Sequence, residues 1–379
     1  ESPTFHSETM AVYPGDKNHL PYDVVVERLH IEEPEPPAPV TEPEKTFEEV
    51  LDEHPVSIQV NGQWQTFPNA KAAEEASYEE YKANLRRNAK NFRITDEHLG
   101  EGGPKAKFQA NVNAIRLLKE LEAAGQQASP EQQEVLSRYV GWGGIPDAFD
   151  PEKLAWASEY TQLKELLTPE EYAAARSSTL NAHYTSPTVI QAIYEAVGRM
   201  GFETGNILEP SMGVGNFFGM LPEEMRNSRL YGVELDPVSG RIAKQLYPKA
   251  DITVGGFETT DRRDFFDLAI GNVPFGQYQV NDKVYNKLNF NIHNYFFAKA
   301  LDQVRPGGVV AFVTSRYTMD AKDSTVRRYL AQRAELLGAI RLPNDAFKKN
   351  AGAEVVSDII FLQKRDRPLD IVPEWTQTG

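Results

Sequence analysis

The sequence predicts an α/β protein with a doubly wound, mostly parallel sheet of seven strands, preceded by a mostly helical region with a β-hairpin. Three observations lead to this prediction. Short apolar segments alternate with helical patterns in the second half of the chain, as in parallel sheets. The first apolar segment ends in a glycine turn, and the second ends in an acidic residue about 20 residues later.

The predicted strands are short runs of branched and aromatic apolar residues, as expected for strands buried on both faces. They are 206–208, 230–233, 251–254, 266–270, 309–314, 336–340 and 358–363. Helical segments at 237–246, 291–304 and 324–334 separate them. Ahead of the sheet, Ser186 is an N-cap, Pro187 fits the first helical position, and an apolar stripe predicts a helix that stops at Gly201.

The region before residue 180 is predicted to contain a hairpin and three helices. Residues 56–67 alternate apolar and polar side chains around Asn61-Gly62, the pattern of a type I′ hairpin. Helical patterns follow at 70–90, 111–124 and 130–139. A Pro/Glu tract at 32–44 predicts an extended linker to an upstream part. The predicted domains are an acidic linker or tail at 1–45, the hairpin and helical region at 46–180, a catalytic domain at 181–367 and a C-terminal linker at 368–379.

Composition limits the function classes. The net charge of −15 is concentrated at the start: the first 60 residues carry 14 acids and 3 bases, which leaves a net of −4 for the rest. A nucleic-acid partner is therefore compatible with the body of the chain. The absence of cysteine excludes disulfides, cysteine-bound zinc and thiol catalysis. There is no run of 18 apolar residues and no secretory leader, so a cytoplasmic protein without a membrane partner is expected.

Two glycine-rich loops interrupt the helical region. The loop 99–108 places Lys105 and Lys107 at a helix entrance, where backbone N–H groups can hold a phosphate. It lacks the spacing of a nucleotide-phosphate loop, so an ordinary loop into a helix is the preferred interpretation. The loop YVGWGGIPDAF at 139–149 has two interpretations: a cap for a flat ligand, or a segment anchored in the core by Trp142.

The turn after the first strand of the sheet has the composition of a ligand-binding loop. Gly213 and Gly215 allow a tight turn and a close backbone approach. A dinucleotide loop would have a third glycine where Phe218 stands. Glu234 ends the second strand, at the place from which a carboxylate accepts from both ribose hydroxyls. These residues predict a site for an adenosine without a pyrophosphate.

The fourth strand leads into a loop with polar and aromatic side chains, DLAIGNVPFG at 267–276. The loop exposes Asn272, Pro274 and Phe275. An amide acceptor, a rigid proline and an aromatic ring suit a planar base with an amino group. Asn, Gly and Pro are also ordinary turn residues, so this loop alone leaves both interpretations open.

In this order, the motifs resemble those of the class I S-adenosylmethionine-dependent methyltransferases, and among them the N6-adenine DNA methyltransferases, over residues 181–365. HYTSP at 183–187 is similar to the segment that holds the methionine end of the cofactor, and NVPF is similar to the catalytic Asn-Pro-Pro-Tyr/Phe. The implied S-adenosylmethionine contacts are Tyr184, Thr185, Glu209, Pro210, Gly213, Gly215, Phe217, Glu234, Leu235 and Phe257. The implied catalytic residues are Asn272, Val273, Pro274 and Phe275.

The succession RYVGWGGIPDAF, HYTSP, GVELDP and IGNVPFG is also similar to the large methylase-helicase fusion proteins of conjugative elements and phages. This likeness extends the match back to about Phe92. It implies that the chain is one module of a larger protein with a helicase region. The implied substrate is DNA, and no metal is implied.

The resemblance implies direct methyl transfer to the N6 amino group of adenine. The Asn272 side chain and the Val273 carbonyl would accept its two N–H bonds and localise the nitrogen lone pair. The base would be flipped out of the duplex and stacked on Phe275. Candidates for contacts to the DNA backbone are Arg316, Lys322, Arg327, Arg328 and Arg333, and a solvated helix face is the preferred interpretation for the last three.

Three departures from the family pattern leave alternatives open. Val273 replaces the first proline of the catalytic motif, although that position acts through its carbonyl oxygen. Gly256 replaces the acid that accepts from the cofactor adenine, and Glu258 is a nearby acid. No target-recognition domain is expected behind the catalytic one. The alternatives are a non-catalytic module of a helicase fusion that binds cofactor or DNA, and a methyltransferase that acts on protein glutamine or on RNA.

Overall fold

The structure, a computed structural model, describes residues 55–96, 98–179, 185–343 and 356–377, and side chains 81–88 are left out of the description. The predicted linker at 1–45 and the predicted cofactor residue Tyr184 lie outside these ranges. The chain divides into two compact units, Glu1–Asn88 and Ala89–Gly379. In the described part, no helix is long and apolar enough to cross a membrane.

The first unit contains the predicted hairpin and one helix. Strands β1 (Val56–Val60) and β2 (Gln63–Phe67) pair antiparallel, and helix α1 spans Ala70–Asn88. Asn61 and Gly62 have φ values of 54° and 73°. A type I′ turn requires positive φ at both central residues, so the hairpin prediction is confirmed.

The second unit is built on a sheet of seven strands, each at a predicted position. They are β3 (Asn206–Glu209), β4 (Arg229–Glu234), β5 (Asp251–Val254), β6 (Phe266–Asn272), β7 (Val304–Ser315), β8 (Ala334–Arg341) and β9 (Ser357–Lys364). Their order is β5-β4-β3-β6-β7-β9-β8. All neighbours are parallel except β9, which pairs antiparallel with β7 and with β8. The doubly wound, mostly parallel sheet is therefore confirmed.

The strand order reverses direction between β3 and β6. From β3 the chain builds outward through β4 and β5 on one side, then crosses to β6 and builds outward on the other. At such a switch point, the two connecting loops part and leave a crevice at the carboxyl ends of the strands. Glu209 ends β3 and Asn272 ends β6, so both belong to this crevice.

Helices cover both faces of the sheet. They are α2 (Pro104–Ala123), α3 (Pro130–Ser137), α4 (Ala157–Leu166), α5 (Pro169–Ser178), α6 (Pro187–Arg199), α7 (Asn216–Gly219), α8 (Pro237–Leu246), α9 (Ile292–Gln303), α10 (Tyr317–Asp320) and α11 (Thr325–Arg333). Ser186 caps α6 by accepting from the Val189 N–H, as predicted. Helix α2 begins at Pro104, seven residues before the predicted start, because the glycines at 102 and 103 end the preceding loop there.

The helical region from Ala89 onward packs on the sheet within the second unit. Phe92 donates its N–H to the Leu246 carbonyl at 2.8 Å, at the end of α8. The buried carboxylate of Glu171 in α5 accepts from Lys119 of α2 at 2.9 Å and from Arg241 of α8 at 2.7 Å. These bonds join the helical region to a helix of the sheet layer. The predicted boundary near residue 180 therefore falls inside one compact unit.

Side-chain environments decide several open interpretations. Trp142 is 1% exposed and packs edge to face on Phe149 at 5.2 Å, so it is a core anchor. Lys105 hydrogen-bonds the Ala155 carbonyl and pairs with Glu159, both at 2.6 Å, which favours the ordinary-loop interpretation. Arg327 was predicted either to contact the DNA backbone or to lie on a solvated helix face, and both predictions are wrong. Its side chain is 1% exposed and donates to the backbone carbonyls of Met319, Ala321 and Thr376.

Candidate functional site

A cavity of about 650 Å³ opens at the switch point of the sheet. It brings together residues that the sequence places on five separate segments. The predicted site residues that line it are Thr185, Glu209, Pro210, Gly213, Phe217, Glu234, Leu235, Phe257, Asn272, Val273 and Pro274. Gly215 and Phe275 are not among the lining residues. The glycine turn, the acid after the second strand and the Asn272 loop therefore share one space.

The glycine turn after β3 is held in a shape that needs both glycines. Gly213 and Gly215 have φ values of 55° and 87°, in the region that disfavours side chains. A Cβ on Gly215 would press against the ring of Tyr247, whereas a Cβ on Gly213 would meet nothing within 4 Å. Gly215 is thus needed for packing, and Gly213 presents bare backbone to the cavity.

The carboxylate of Glu234 supports this turn from the neighbouring strand. Its Oε2 accepts from the Gly213 N–H at 2.6 Å, and its Oε1 accepts from the Asp236 N–H at 2.7 Å. The pKa of Glu234 is raised to about 7: burial is the main cause and the nearby Asp236 charge adds to it, while the backbone hydrogen bonds oppose the rise. Each carboxylate oxygen has a second lone pair, which suits the two hydroxyls of a ribose.

Glu209 is a second buried acid in the cavity wall. It is 2% exposed, and within the described ranges its Oε2 has no hydrogen-bond partner. Burial, followed by the charge of Glu234, raises its pKa well above the usual range. A buried polar atom without a partner is costly, so this atom fits a polar group supplied by a ligand. Gly271 lies next to this side chain: a Cβ at position 271 would be 3.3 Å from the Glu209 Cγ, so the glycine leaves room for Glu209.

The third strand contributes an aromatic wall and an acid. Phe257 lines the cavity and packs on Phe296 with ring centroids 5.0 Å apart. A Cβ added to Gly256 would overlap the carboxylate of Glu258. The Glu258 carboxylate therefore occupies the space that an acidic side chain at position 256 would take. Glu258 also lines the cavity.

The amide of Asn272 is oriented by a neighbour on another segment. Its Nδ2 donates to the hydroxyl of Thr185 at 3.1 Å, and Thr185 is itself buried. The next residue, Val273, is buried and donates its N–H to the Val313 carbonyl of β7 at 3.1 Å. The position without proline is therefore fixed by a sheet hydrogen bond instead. The Thr185 bond uses the amide nitrogen and leaves the acceptor role to the carbonyl oxygen.

Phe275, the aromatic residue of the NVPF segment, does not line the cavity. Phe275 is half-buried and packs against the apolar cores on both sides of the sheet. Tyr278, three residues later, lines the cavity and is 45% exposed. Its ring lies over Gly276, where a Cβ would overlap it. No periodicity in this irregular loop signalled Tyr278 from the sequence.

The helical region also contributes to the cavity wall, in part through the loop 139–149, for which one interpretation of the sequence was a cap for a flat ligand. Tyr139, Val140 and Gly141 from the helical region line the cavity, as do Ser177 and Ser178 at the end of α5. Over the described ranges, no cluster of three His, Cys, Asp or Glu side chains could hold a metal ion. The site is thus lined by backbone, carboxylates, hydroxyls, the amides of Asn216 and Asn272 and aromatic rings, which are groups suited to an organic cofactor.

Comparisons with known proteins show which families this chain resembles. The family model of the Eco57I restriction-modification methylase matches residues 249–347, which include the Asn272 loop. The resemblance to the class I DNA methyltransferases is confirmed. S-adenosylmethionine is accordingly confirmed as the cofactor. The buried polar atoms and the glycine turn of the cavity suit this ligand.

Individual relatives match parts of this chain. The Defense against restriction protein B of Escherichia phage P1 is 28% identical over 272 residues, 70% of this chain and 10% of that protein. The type II methyltransferase M.CvrRI of a Paramecium bursaria Chlorella virus is 39% identical over 92 residues, 24% of each chain. A putative class I methyltransferase from Listeria monocytogenes has a TM-score of 0.44 at 18% identity, covering 71% of this chain and 91% of that one. The chain thus spans a minor part of the curated relatives it matches.

Proposed function

We propose that this chain transfers a methyl group from S-adenosylmethionine to the N6 amino group of adenine in DNA, as one module of a larger protein with a helicase region. The observation that supports it most is the shared cavity. Asn272 lines the same space as the glycine turn and Glu234. A group that grips an amino nitrogen and a group that holds a nucleoside are therefore neighbours. The family description and the type II relative both concern DNA methylation.

Each part of the cofactor has a matching group in the wall. Glu234 would hold the ribose hydroxyls, and the bare backbone at Gly213 would lie along the cofactor chain. Phe257 would cover the adenine ring, and Glu258 would accept from its amino group. The Glu209 Oε2, which has no partner among the described residues, would bond a polar group of the cofactor. When bound, S-adenosylmethionine supplies a methyl group on a positively charged sulfur.

The chain's own groups prepare the acceptor nitrogen. The Asn272 carbonyl oxygen and the Val273 carbonyl would each accept one N–H of the adenine amino group. These bonds withdraw the nitrogen lone pair from the ring and fix its direction, so orientation and electrostatics do the catalytic work. No general base with a perturbed pKa is needed, because the proton can leave after the transfer.

DNA must present the base outside the duplex, because the amino group is otherwise buried in a base pair. Among the predicted backbone contacts, Lys322 and Arg328 are exposed, and Arg316 is half-buried beside Tyr317. Arg333 stacks on Tyr329 at 3.7 Å, and Arg327 is buried. The proposed phosphate contacts are therefore Arg316, Lys322 and Arg328.

A labelled-methyl assay tests the proposal. The full chain is incubated with methyl-labelled S-adenosylmethionine and single- or double-stranded DNA, and the product nucleosides are separated. We expect label in N6-methyladenine. The Asn272→Ala variant should lose at least about a hundredfold in transfer, as loss of a transition-state hydrogen-bonding group does, while cofactor affinity stays within about twofold.

The same assay discriminates the alternatives. Cofactor binding without transfer to any DNA would support a non-catalytic binding module. Transfer only to RNA or to protein would support a different amino acceptor. Transfer by Asn272→Ala at the wild-type rate would contradict the proposed role of the amide.

A further inference from the structure

The loop after α3 belongs to the helical region, yet it forms part of the cofactor cavity. Tyr139, Val140 and Gly141 line the cavity together with the glycine turn and Glu234. Tyr139 is almost fully buried, and Trp142, which follows Gly141, is anchored in the core. This part of the wall is therefore contributed by a segment that precedes residues 181–365, which resemble the class I methyltransferases.

One side chain holds this loop in place. Asn111 of α2 is 0% exposed. Its Nδ2 donates to the Gly141 carbonyl at 2.6 Å, and its Oδ1 accepts from the Val140 N–H at 2.9 Å. A single buried amide thus satisfies two backbone groups of the loop, and Gly141 adopts the left-handed conformation with a φ of 72°. The wall is rigid before a ligand arrives, which lowers the entropic cost of binding.

Tyr139 lies at the acidic end of the cavity. It lines the cavity together with Glu234 and Asp236. Burial, helped by the negative charges of Asp236 and Glu234, raises the pKa of its phenol well above the usual range, so the hydroxyl stays protonated. Its ring packs on Trp142 with centroids 6.2 Å apart. The neighbouring Glu234 is the group assigned to the ribose, so Tyr139 lies on the ribose side of the cavity.

We propose that the segment 139–141 is a second wall of the ribose subsite, with Tyr139 in contact with the adenosine part of the cofactor. Asn111 is a positioning residue that acts through this segment. The proposal rests on the proposed function, which supplies the ligand. It assigns the helical region a role in cofactor binding in addition to any role in DNA binding.

The proposal distinguishes the adenosine part of the cofactor from its methionine part. S-adenosylmethionine, S-adenosylhomocysteine and 5′-methylthioadenosine share the adenosine, but the last lacks the amino-acid part. Loss of the Tyr139 wall should therefore weaken all three ligands by the same factor. A contact to the methionine part would instead leave 5′-methylthioadenosine unaffected.

Calorimetric titration of the full chain with these three ligands tests the proposal, with Asn111→Leu and Tyr139→Phe as variants. Gln133→Leu is the matched control, because Gln133 is also buried and donates to three backbone carbonyls, of Lys90, Gln245 and Leu246, but does not line the cavity. We expect Kd to rise roughly tenfold in Asn111→Leu and roughly threefold in Tyr139→Phe, equally for all three ligands. In the control, the melting temperature should fall while Kd is unchanged.

Three results would overturn the proposal: wild-type affinity in both variants, a loss confined to the ligands with the amino-acid part, or an equal loss in the Gln133→Leu control. If Asn111→Leu does not fold, Tyr139→Phe decides alone, since it removes one hydroxyl and keeps the ring. A wild-type chain that binds none of the ligands would refute the proposed function itself. Ligand binding that is insensitive to Tyr139 would refute the second wall alone.

Discussion

At the scale of single residues, we expect the carboxyl group of Glu234 to make cofactor binding depend on pH. Its pKa of about 7 lies within the pH range in which binding can be measured, from pH 6 to pH 8. Below pH 7 the group gains a proton, which removes an acceptor for the ribose hydroxyls and a negative charge that attracts the sulfonium. Affinity for S-adenosylmethionine should therefore fall about tenfold from pH 8 to pH 6.

Titration calorimetry at several pH values measures this dependence. Glu234→Gln is the control, because it keeps the shape and cannot titrate. It should bind weakly at every pH, with a flat profile. An unchanged slope in Glu234→Gln would assign the pH dependence to another group.

The acid at position 258 gives a second residue-scale prediction. Glu258→Ala should weaken S-adenosylhomocysteine binding about tenfold, because a charged acceptor for the adenine amino group is lost. The double variant Gly256→Asp with Glu258→Ala should recover affinity, since Gly256 has an ordinary φ of −74° and the vacated space admits the new carboxylate.

S-inosylhomocysteine, which lacks the amino group, is the matched ligand control for Glu258. Its affinity should change little in Glu258→Ala. An equal loss for both ligands would mean that Glu258 acts on the fold of the loop and not on the amino group.

At the scale of structural elements, a buried ion pair ties the long loop after Asn272 to helix α9. Lys299 of α9 donates to Asp282 of the loop at 2.8 Å, and Tyr295 donates to the same oxygen at 2.9 Å. Lys299 and Asp282 are both buried. The Lys299 ammonium also lies 5.2 Å from the centre of the Phe257 ring. The pair thus links the acceptor loop to the wall expected to cover the cofactor adenine.

Breaking this pair should destabilise the protein strongly. We expect Lys299→Met to lower the free energy of unfolding by about 3–5 kcal/mol, because a buried carboxylate loses its partner. The double variant with Asp282→Asn should recover part of the loss. Denaturant unfolding measures both changes, with the exposed pair Arg199 and Glu195 as a control site. A loss in Lys299→Met no larger than that of Arg199→Met would contradict this assignment.

Elements were more predictable from the sequence than side-chain placement. Alternation of strands and helices predicted all seven strands, because each buried strand has its own local apolar pattern. The burial of Arg327 could not be predicted from a local pattern. Its helix has the sequence of a charged, amphipathic helix, but the C-terminal segment covers the face that carries Arg327. The same limit applies to Tyr278, which an irregular loop brings to the cavity, and to Asn111, whose loop partners lie about 30 residues away.

At the scale of the whole molecule, the cofactor site uses the second compact unit. Within the described part of the chain, the cavity lining begins at Tyr139. A fragment of residues 89–379 should therefore bind S-adenosylmethionine as tightly as the full chain. A fragment of residues 181–379 should fail to bind, because it lacks the 139–141 wall and the Glu171 ion pairs that hold α8. Calorimetry on both fragments, with circular dichroism to verify folding, measures the difference. Full affinity in the shorter fragment would contradict the claim that the helical region contributes to the cofactor site.

The central claim is that one cavity at the switch point holds the nucleoside of the cofactor and directs its sulfur toward Asn272. A crystal structure of the full chain with S-adenosylhomocysteine tests this most directly. We predict the ribose on Glu234, the adenine beside Phe257 and Glu258, and the sulfur facing the Asn272 amide. A ligand bound elsewhere, or one with its sulfur separated from Asn272 by protein side chains, would contradict the claim.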